Sequence, residues 1–303
     1  MGEAHEGTAL HEEERFRVID CARCGFAHVD PRPSEEELAA YYDRTFLDHA
    51  KPDYLEKTER ELDYWNRVSF ASKERRLRRL LDGPGRILDV GSCGGFLLRH
   101  FRESGWEVQG VEPAEQAVAW ARERYDLPVI QGFFERVPAE ELGRFDAVHM
   151  AFVLEHVRDP AAILRKAREL LRPGGLVSVE VPNDFNRLQR AVVRAMDKPR
   201  WWVSWPDHLN YFTFDSLERT LESCGFEVVG REATFPMELF LLMGEDYLGN
   251  DPVGRACHER RMRLELGAVE GGIEEPYATL YGGYAAAGLG REAIVYGRRA
   301  GER

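Results

Sequence analysis

A glycine-rich stretch, residues 87–96, constrains the fold of this 303-residue chain more than any other feature. Its sequence, ILDVGSCGGF, is an apolar run followed by closely spaced glycines, and an apolar-rich segment comes next. This pattern predicts a strand, a tight loop and a helix. Glycine suits such a loop because it adopts positive φ without a steric penalty and lets a ligand approach the backbone. The start of the helix adds unpaired N–H groups. We therefore predict the first half of a βαβ unit that binds a ligand.

A second predicted strand, WEVQGVEP, places Glu112 about twenty residues after the loop, where a carboxylate can accept both hydroxyls of a ribose. Asp89 precedes the first glycine, and the G-x-G-x-x-G pattern of dehydrogenases is missing. An upstream carboxylate repels a pyrophosphate but is compatible with a cofactor that has an amino acid end and a sulfonium cation. The loop therefore favours a methyl donor over NAD.

The span from residue 86 to about residue 229 resembles the class I S-adenosylmethionine-dependent methyltransferases. Four segments carry the resemblance in the family's order, namely ILDVGSCGG, GVEP, FDAVHMAFVLEHVRDP and LLRPGGLVSVEVPN. The chain departs from the family pattern at Cys93, where glycine is usual, and at Phe133, where an acidic residue near the adenine is common. The second departure leaves the adenine contact to Glu135 or to backbone amides near Phe134.

The resemblance implies an α/β fold, a doubly wound, seven-stranded Rossmann-like sheet that binds S-adenosyl-L-methionine and releases S-adenosyl-L-homocysteine. We predict an N-terminal C-x-x-C hairpin and helical lid over 1–82, the methyltransferase core over 83–235 and 291–303, and a helical insertion or flap over 236–290. The cofactor-binding residues implied by the resemblance are Asp89, Gly91, Ser92, Cys93, Gly95, Glu112, Pro113, Phe133, Phe134, Met150, Ala151 and His156.

Composition excludes several kinds of partner. Lys and Arg total 41 against 53 Asp and Glu, so the formal net charge is −12 at pH 7, which repels a nucleic acid backbone. No stretch of the sequence comes close to the run of about twenty apolar residues that a membrane-spanning helix needs. The first fifteen residues are acidic and polar, unlike a secretory signal, and we expect a frayed leader there. We expect a cytoplasmic protein that acts on a small molecule.

The five cysteines are too scattered for a disulfide framework. Cys21 and Cys24 have the C-x-x-C spacing that presents two thiolates to one tetrahedral metal ion. A structural zinc site needs four ligands, and no second C-x-x-C is present; His5, His11 and His28 are poor substitutes for it. The segment resembles a zinc ribbon that has lost half of its ligands. We therefore expect no metal, and a β-hairpin that keeps both cysteines as small apolar residues.

The segment after the fifth predicted strand is rich in aromatic side chains, with Trp201, Trp202, Trp205 and Tyr211. Exposed tryptophans are costly, so these residues either line a substrate pocket or bury an inserted subdomain or a homodimer contact.

Four other residues are candidate substrate contacts. In such folds the N-terminal helices lie across the cofactor mouth, so Tyr41 and Tyr42 either contact substrate or pack within the lid. Arg255 and His258 belong to a basic cluster in the insertion. This cluster binds a phosphate or carboxylate of the acceptor, or it forms a solvated helix face.

His208 is the best candidate for a catalytic base. Methyl transfer is an in-line displacement, so the enzyme orients the acceptor and, for an alcohol, removes its proton. Imidazole suits this work near neutral pH, and Asp207 alongside biases its charge. The competing interpretation is that His208 holds a helix-entry turn. His156 is a second catalytic candidate, or a residue that shapes the cofactor pocket.

These patterns predict a methyltransferase of secondary metabolism that methylates a hydroxyl of a sugar, a glycan precursor or a secondary metabolite. Carbon and nitrogen acceptors are the alternatives within the enzyme class, and nitrogen needs no strong base. A binding protein that kept the fold without the chemistry is the alternative from another class, with Cys93 and Phe133 as signs of decay. The intact Asp89, Gly91 and Glu112 argue against it. An NAD-dependent redox enzyme is a more distant alternative.

Overall fold

The computed structural model describes residues 5–34, residue 37 and residues 53–301. Tyr41 and Tyr42 lie outside the described residues. The strands are β1 (Gly7–Glu12), β2 (Arg17–Cys21), β3 (Ala27–Asp30), β4 (Arg86–Val90), β5 (Glu107–Glu112), β6 (Val129–Gln131), β7 (Phe145–Ala151), β8 (Leu171–Pro182), β9 (Asn210–Tyr211), β10 (Phe226–Ala233) and β11 (Glu292–Arg299). The helices are α1 (Tyr54–Arg60), α2 (Ala71–Leu81), α3 (Phe96–Glu103), α4 (Glu115–Tyr125), α5 (Ala139–Leu142), α6 (Pro160–Leu170), α7 (Arg187–Met196), α8 (Phe214–Ser223), α9 (Glu238–Leu242), α10 (Asp251–Glu270) and α11 (Glu274–Ala286).

The central sheet has seven strands in the order β10-β11-β8-β7-β4-β5-β6, which confirms the predicted fold class. Strands β4 to β8 pair in parallel, and β11 runs antiparallel to both of its neighbours. The apolar run that begins the glycine-rich stretch is buried, as expected for a parallel strand covered by helices on both faces.

Strand register brings the predicted cofactor residues to one edge of the sheet. Asp89 on β4 pairs with Gly110 on β5 and with His149 on β7. The carboxyl ends of these parallel strands are therefore adjacent, and the loops that follow them meet at the edge where open α/β sheets bind ligands.

A second sheet of four strands, in the order β1-β2-β3-β9, packs at the N-terminal end of the chain. The expectation of a frayed leader is wrong for residues 7–12, because β1 pairs with β2 from Gly7 opposite Cys21 to Glu12 opposite Arg17. This edge strand is largely exposed, so it lacks the alternating apolar residues by which a strand is predicted from sequence. Backbone hydrogen bonds to β2 hold it in the sheet. The predicted hairpin of β2 and β3 is confirmed.

The helical insertion between β10 and β11 consists of α9, α10 and α11. Two glycines of the predicted insertion or flap, Gly282 and Gly283, lie inside helix α11. The helices before the core run nearly continuously from α1 through a short α-helical segment at Leu62–Tyr64 and a π-helical segment at Trp65–Phe70 into α2. Within the described residues, no helix combines the length and the apolar character that crossing a bilayer requires.

Candidate active site

The glycine loop after β4 has the backbone that its sequence predicts. Gly91 and Gly95 have φ of 72° and 74°, and Cys93 between them also lies in the left-handed region at 48°. A Cβ on Gly91 would lie 2.9 Å from Val153 Cγ2, so the loop has no room for a side chain there. Helix α1 packs directly against the loop, since a Cβ on Gly94 would lie 2.9 Å from Leu55 Cδ2.

Glu112 is fixed at the end of β5 by two backbone donors. The N–H of Cys93 donates to Oε2 at 2.8 Å, and the N–H of Ala114 donates to Oε1 at 2.9 Å. Each carboxylate oxygen can accept a further hydrogen bond, so both remain competent to accept one ribose hydroxyl. The nearby Ser92 hydroxyl is buried and makes no hydrogen bond within the described part of the chain. These polar groups fit a nucleoside cofactor.

Asp89 lies buried beneath the loop. Burial and the negative charge of Glu112 raise its pKa well above the ordinary value, while the ammonium of Lys73 acts in the opposite direction. Lys73 is itself paired with Glu180 at 3.1 Å, so its charge is shared. A buried carboxyl in this position gains from a cationic ligand, which fits the amino and sulfonium groups of S-adenosylmethionine.

Five other predicted cofactor-binding residues differ in how far they are exposed to a ligand. Phe133 is half-buried, with the Arg136 guanidinium 5.1 Å from its ring centroid. Phe134 and Met150 belong to the main hydrophobic core. Pro113 is exposed and Ala151 is half-buried at the carboxyl edge of the sheet. Of the predicted aromatic pair, only Phe133 therefore has a side chain that is open to a ligand.

Phe152 is a residue at this edge that sequence reasoning missed. It follows β7 directly, has φ of 56°, and exposes 46% of its surface. Its N–H donates to the carbonyl of Glu180 at 2.9 Å, which holds the turn. Bulky residues rarely adopt positive φ, and such outliers concentrate at functional sites. No sequence signal marks it, because the unusual dihedral depends on the neighbouring strand.

His156, Asp207 and His208 form a polar cluster at the same edge. The Nδ1–H of His156 donates to the backbone carbonyl of Asp207 at 2.8 Å, and Nδ1 lies 3.3 Å from Asp207 Oδ1. His208 Nε2 lies 3.8 Å from Asp207 Oδ2, and the two imidazole centroids are 5.0 Å apart. The structure thus brings together both predicted catalytic histidines around one carboxylate.

Buried carboxyl groups surround this cluster. Burial raises the pKa of Glu155 to about 7 and that of Asp184 to about 7. Burial alone would lower the pKa of His156, but its hydrogen bond to Asp207 and the charges of Glu155 and Asp207 outweigh that effect and raise it. The backbone carbonyl of Glu155 accepts the N–H groups of Leu209 at 2.7 Å and Asn210 at 3.0 Å, which fastens the two loops together.

The aromatic segment packs mainly against the small sheet. Trp202 is only 4% exposed and contacts Phe185, with ring centroids 5.4 Å apart. Trp201 lies edge-on to Trp202 at 4.9 Å, and Trp205 stacks on Phe16 at 5.5 Å.

Tyr211 is also part of this packing. It is buried on β9, and its hydroxyl donates to the carbonyl of His208 at 3.2 Å. Trp205, with 36% of its surface exposed, is the tryptophan of this segment most open to a ligand.

The basic cluster of the insertion is largely paired within the chain. His258 Nε2 lies 3.3 Å from Glu61 Oε2, and Arg260 contacts Glu245 at 2.6 Å. Arg255 is exposed on α10.

Comparisons with known proteins agree with this geometry. Residues 55–230 match the family model described as a methyltransferase domain. The ubiquinone biosynthesis O-methyltransferase of Cereibacter sphaeroides is 32% identical over 181 residues, which cover 56% of this chain and 72% of that protein. The protein of the same name from Dinoroseobacter shibae is 30% identical over 181 residues, with the same shares of 56% and 72%.

A solved structure supports the fold over almost the whole chain. It is Burkholderia thailandensis 1,6-didemethyltoxoflavin-N1-methyltransferase with bound 1,6-didemethyltoxoflavin and S-adenosylhomocysteine, at a TM-score of 0.52 and 16% identity, covering 97% of this chain and 99% of that chain. The matched domain and the strand order both agree with the resemblance that the glycine loop and Glu112 indicate. This chain therefore belongs to the class I S-adenosylmethionine-dependent methyltransferases.

Proposed function

We propose that this enzyme methylates a hydroxyl oxygen of a small molecule, with His208 as the base that removes the hydroxyl proton. The observation that carries the proposal is the placement of two imidazoles around the Asp207 carboxylate at the ligand-binding edge of the sheet. An amine acceptor needs no such base, whereas an alcohol or phenol does.

The two histidines have different roles in this proposal. His156 donates through Nδ1 to the backbone carbonyl of Asp207, so its ring is held against the segment that carries Asp207 and His208. We assign it to holding Asp207 and the loop after β7 in position. His208 then accepts the proton, and the Asp207 carboxylate stabilises the imidazolium that forms.

The cofactor supplies an activated methyl group on its sulfonium when it is bound. The chain's own contribution is to hold the cofactor through Glu112 and the glycine loop, and to place the acceptor oxygen in line with the methyl carbon. Phe152, exposed beside the loop, offers an apolar wall for the acceptor ring.

The acceptor class we propose is a sugar, a glycan precursor or a secondary metabolite with a ring hydroxyl. Relatives named ubiquinone biosynthesis O-methyltransferase support oxygen as the acceptor atom. Trp205, Arg255 and His258 stay predicted substrate contacts.

The test is to incubate the purified full chain with a panel of phenols, sugars and amines. Methyl transfer is measured as the release of S-adenosylhomocysteine. We expect His208→Gln to lower kcat by about 10²–10⁴-fold with little change in the KM of the cofactor. The matched control is His100→Gln, a half-buried histidine on α3, which should keep its activity. Preferred methylation of amines, or an unchanged kcat in His208→Gln, would contradict the proposal.

A further inference from the structure

The small N-terminal sheet contains a cluster that the methyl-transfer chemistry does not use. We propose that it is a structural zinc site whose four ligands are His5, Cys21, Cys24 and His28. This departs from the expectation drawn from the sequence, in which the C-x-x-C pair has no partners.

The donor atoms lie close enough together to surround a single metal ion. His5 Nδ1 lies 3.4 Å from Cys21 Sγ, 3.3 Å from Cys24 Sγ and 3.0 Å from His28 Nε2. All four donor atoms lie within 4.8 Å of one another. A zinc ion with Zn–S of about 2.3 Å and Zn–N of about 2.0–2.1 Å separates its ligands by roughly 3.3–3.8 Å.

Hydrogen bonding alone does not account for this convergence. His5 Nδ1 carries either one proton or one lone pair, yet three polar atoms approach it. A metal ion at the centre would use all four donor atoms at once. Two thiolates with two imidazoles are a common ligand set for structural zinc.

The outer contacts of His28 prepare it as a ligand. Its Nδ1–H donates to the backbone carbonyl of Val29 at 2.7 Å, which leaves a lone pair on Nε2 facing the cluster. Metal-bound histidines usually donate their other ring N–H in this way.

The turn around the cysteines has the hydrogen bonds of a metal knuckle. The N–H of Cys24 donates to Cys21 Sγ at 3.4 Å, and Arg32 Nη2 lies 3.9 Å from Cys24 Sγ. The N–H of Gly25, at φ of 75°, donates to the carbonyl of Cys21 at 2.9 Å. This turn brings both sulfurs within 4.8 Å of the two imidazole nitrogens.

The zinc site would stabilise the segment that contains His208. His28 pairs with Asn210 on β9, and the N–H of Val29 donates to the carbonyl of Leu209 at 2.9 Å. A closed four-ligand site holds structure and does not supply a reactive position. Because β3 pairs with β9, the site would hold in place the strand that follows His208. This consequence for activity rests on the proposed function, whereas metal binding does not.

The first experiment measures the metal content of the untagged full chain, expressed with added zinc and purified without chelators. We expect about one zinc per chain in the wild type, and loss of most of it in Cys21→Ser and His28→Gln. The matched control is His11→Gln, which removes a histidine on β1 that contacts Glu13 and not the cluster. It should retain its zinc.

A second measurement does not depend on the folding of a variant. The metal is removed from wild-type protein and replaced with Co²⁺, and we expect the visible spectrum of a tetrahedral cobalt–thiolate centre. A zinc-free wild type without this spectrum would overturn the proposal. Stoichiometric zinc that persists in Cys21→Ser would also overturn it, because the metal would then lie elsewhere, for example at Glu155, His156 and His208. Both readouts are independent of methyl transfer, so failure of the proposed function leaves them unaffected.

Discussion

The hydroxyl of Tyr64 donates a hydrogen bond to Glu265 Oε2 at 2.6 Å, across 201 positions of the sequence. The other oxygen of Glu265 accepts the hydroxyl of Tyr281 at 2.5 Å. Glu265 is buried on α10, so these two donors compensate the cost of removing its carboxylate from water. The contact attaches the helical insertion to the N-terminal helices.

Replacement of Tyr64 by phenylalanine should therefore destabilise the fold. One carboxylate oxygen would lose its donor in a buried site, and we expect the free energy of unfolding to fall by about 1.5–3 kcal/mol. Urea denaturation of the full chain measures the change. Tyr284→Phe, which removes a hydroxyl from the same helix, α11, as Tyr281, is the control and should have a smaller effect. Equal stability of Tyr64→Phe and wild type would show that the hydrogen bond is not formed.

Loss of Glu112 should abolish tight cofactor binding. In Glu112→Gln the amide N–H₂ would face either the N–H of Cys93 or that of Ala114, so the glycine loop and the ribose contact are both disturbed. We expect the Kd for S-adenosylmethionine to rise by about 10²-fold or more, measured by calorimetry. Glu115→Gln, an exposed acid at the start of α4, serves as the control and should bind normally. Retention of wild-type affinity by Glu112→Gln would exclude the ribose role.

Two phenylalanines with positive φ should respond differently to glycine. Phe152→Gly removes an exposed ring and relieves a left-handed backbone that costs about 1–2 kcal/mol, while glycine adds about 0.5–1 kcal/mol of entropy loss. We expect stability within about 1 kcal/mol of wild type but a lower kcat/KM. Phe185→Gly should lose about 3–5 kcal/mol, because that ring is buried against Trp202 and Tyr211. Similar losses of stability in both variants would contradict this assignment.

The tryptophans of the aromatic segment should separate into a core residue and a surface residue. Trp202→Ala should cost about 3–5 kcal/mol of folding free energy, since its ring lies in the core of the small sheet. Trp205→Ala should cost less than about 2 kcal/mol, because the ring is partly exposed and stacks on Phe16 alone among the described aromatic rings. An acceptor KM that rises in Trp205→Ala, with the fold intact, would support its predicted substrate role; an unchanged KM would count against it.

Stability should fall as the pH rises through neutrality. Burial raises the pKa of Glu155, Asp184 and Glu292 to about 7, from ordinary values of 4.5, 3.8 and 4.5. The folded state therefore holds these protons more tightly than the unfolded state does. Their contribution to stability is complete below about pH 4 and is lost as the pH rises through about 7. The raised pKa of His156 acts in the same direction.

Urea denaturation between about pH 5 and about pH 8 measures this dependence. We expect the free energy of unfolding to decline over that range. Asp184→Asn removes one of the titrating groups and should flatten the decline. A stability that stays constant or increases over the range would show that these carboxyl groups are ionised in the folded protein.

Much of the fold and of the cofactor site could be predicted from the sequence because the signals are local. The strand, loop and helix around the glycine loop follow from residues within one short window, and Glu112 comes at a fixed distance along the next strand. Each of these features depends on backbone preferences and on apolar periodicity, which neighbouring residues determine. The strand order then agrees with the expected α/β sheet.

Tertiary structure decided the features that join distant parts of the chain. His5 and His28 reach the cysteine pair only because β1, β2 and β3 pair side by side, and Trp202 is buried only because β9 returns to that sheet. Likewise, the pairing of Phe152 with the Glu180 carbonyl sets its unusual φ. The sequence by itself determined the strand, the glycine loop and the helix of the first βαβ half, because each depends on neighbouring residues. Long-range strand pairing determined which of the other polar and aromatic side chains lie together. Residues that are far apart in the sequence meet only through this pairing, so no short stretch of sequence predicts their contacts.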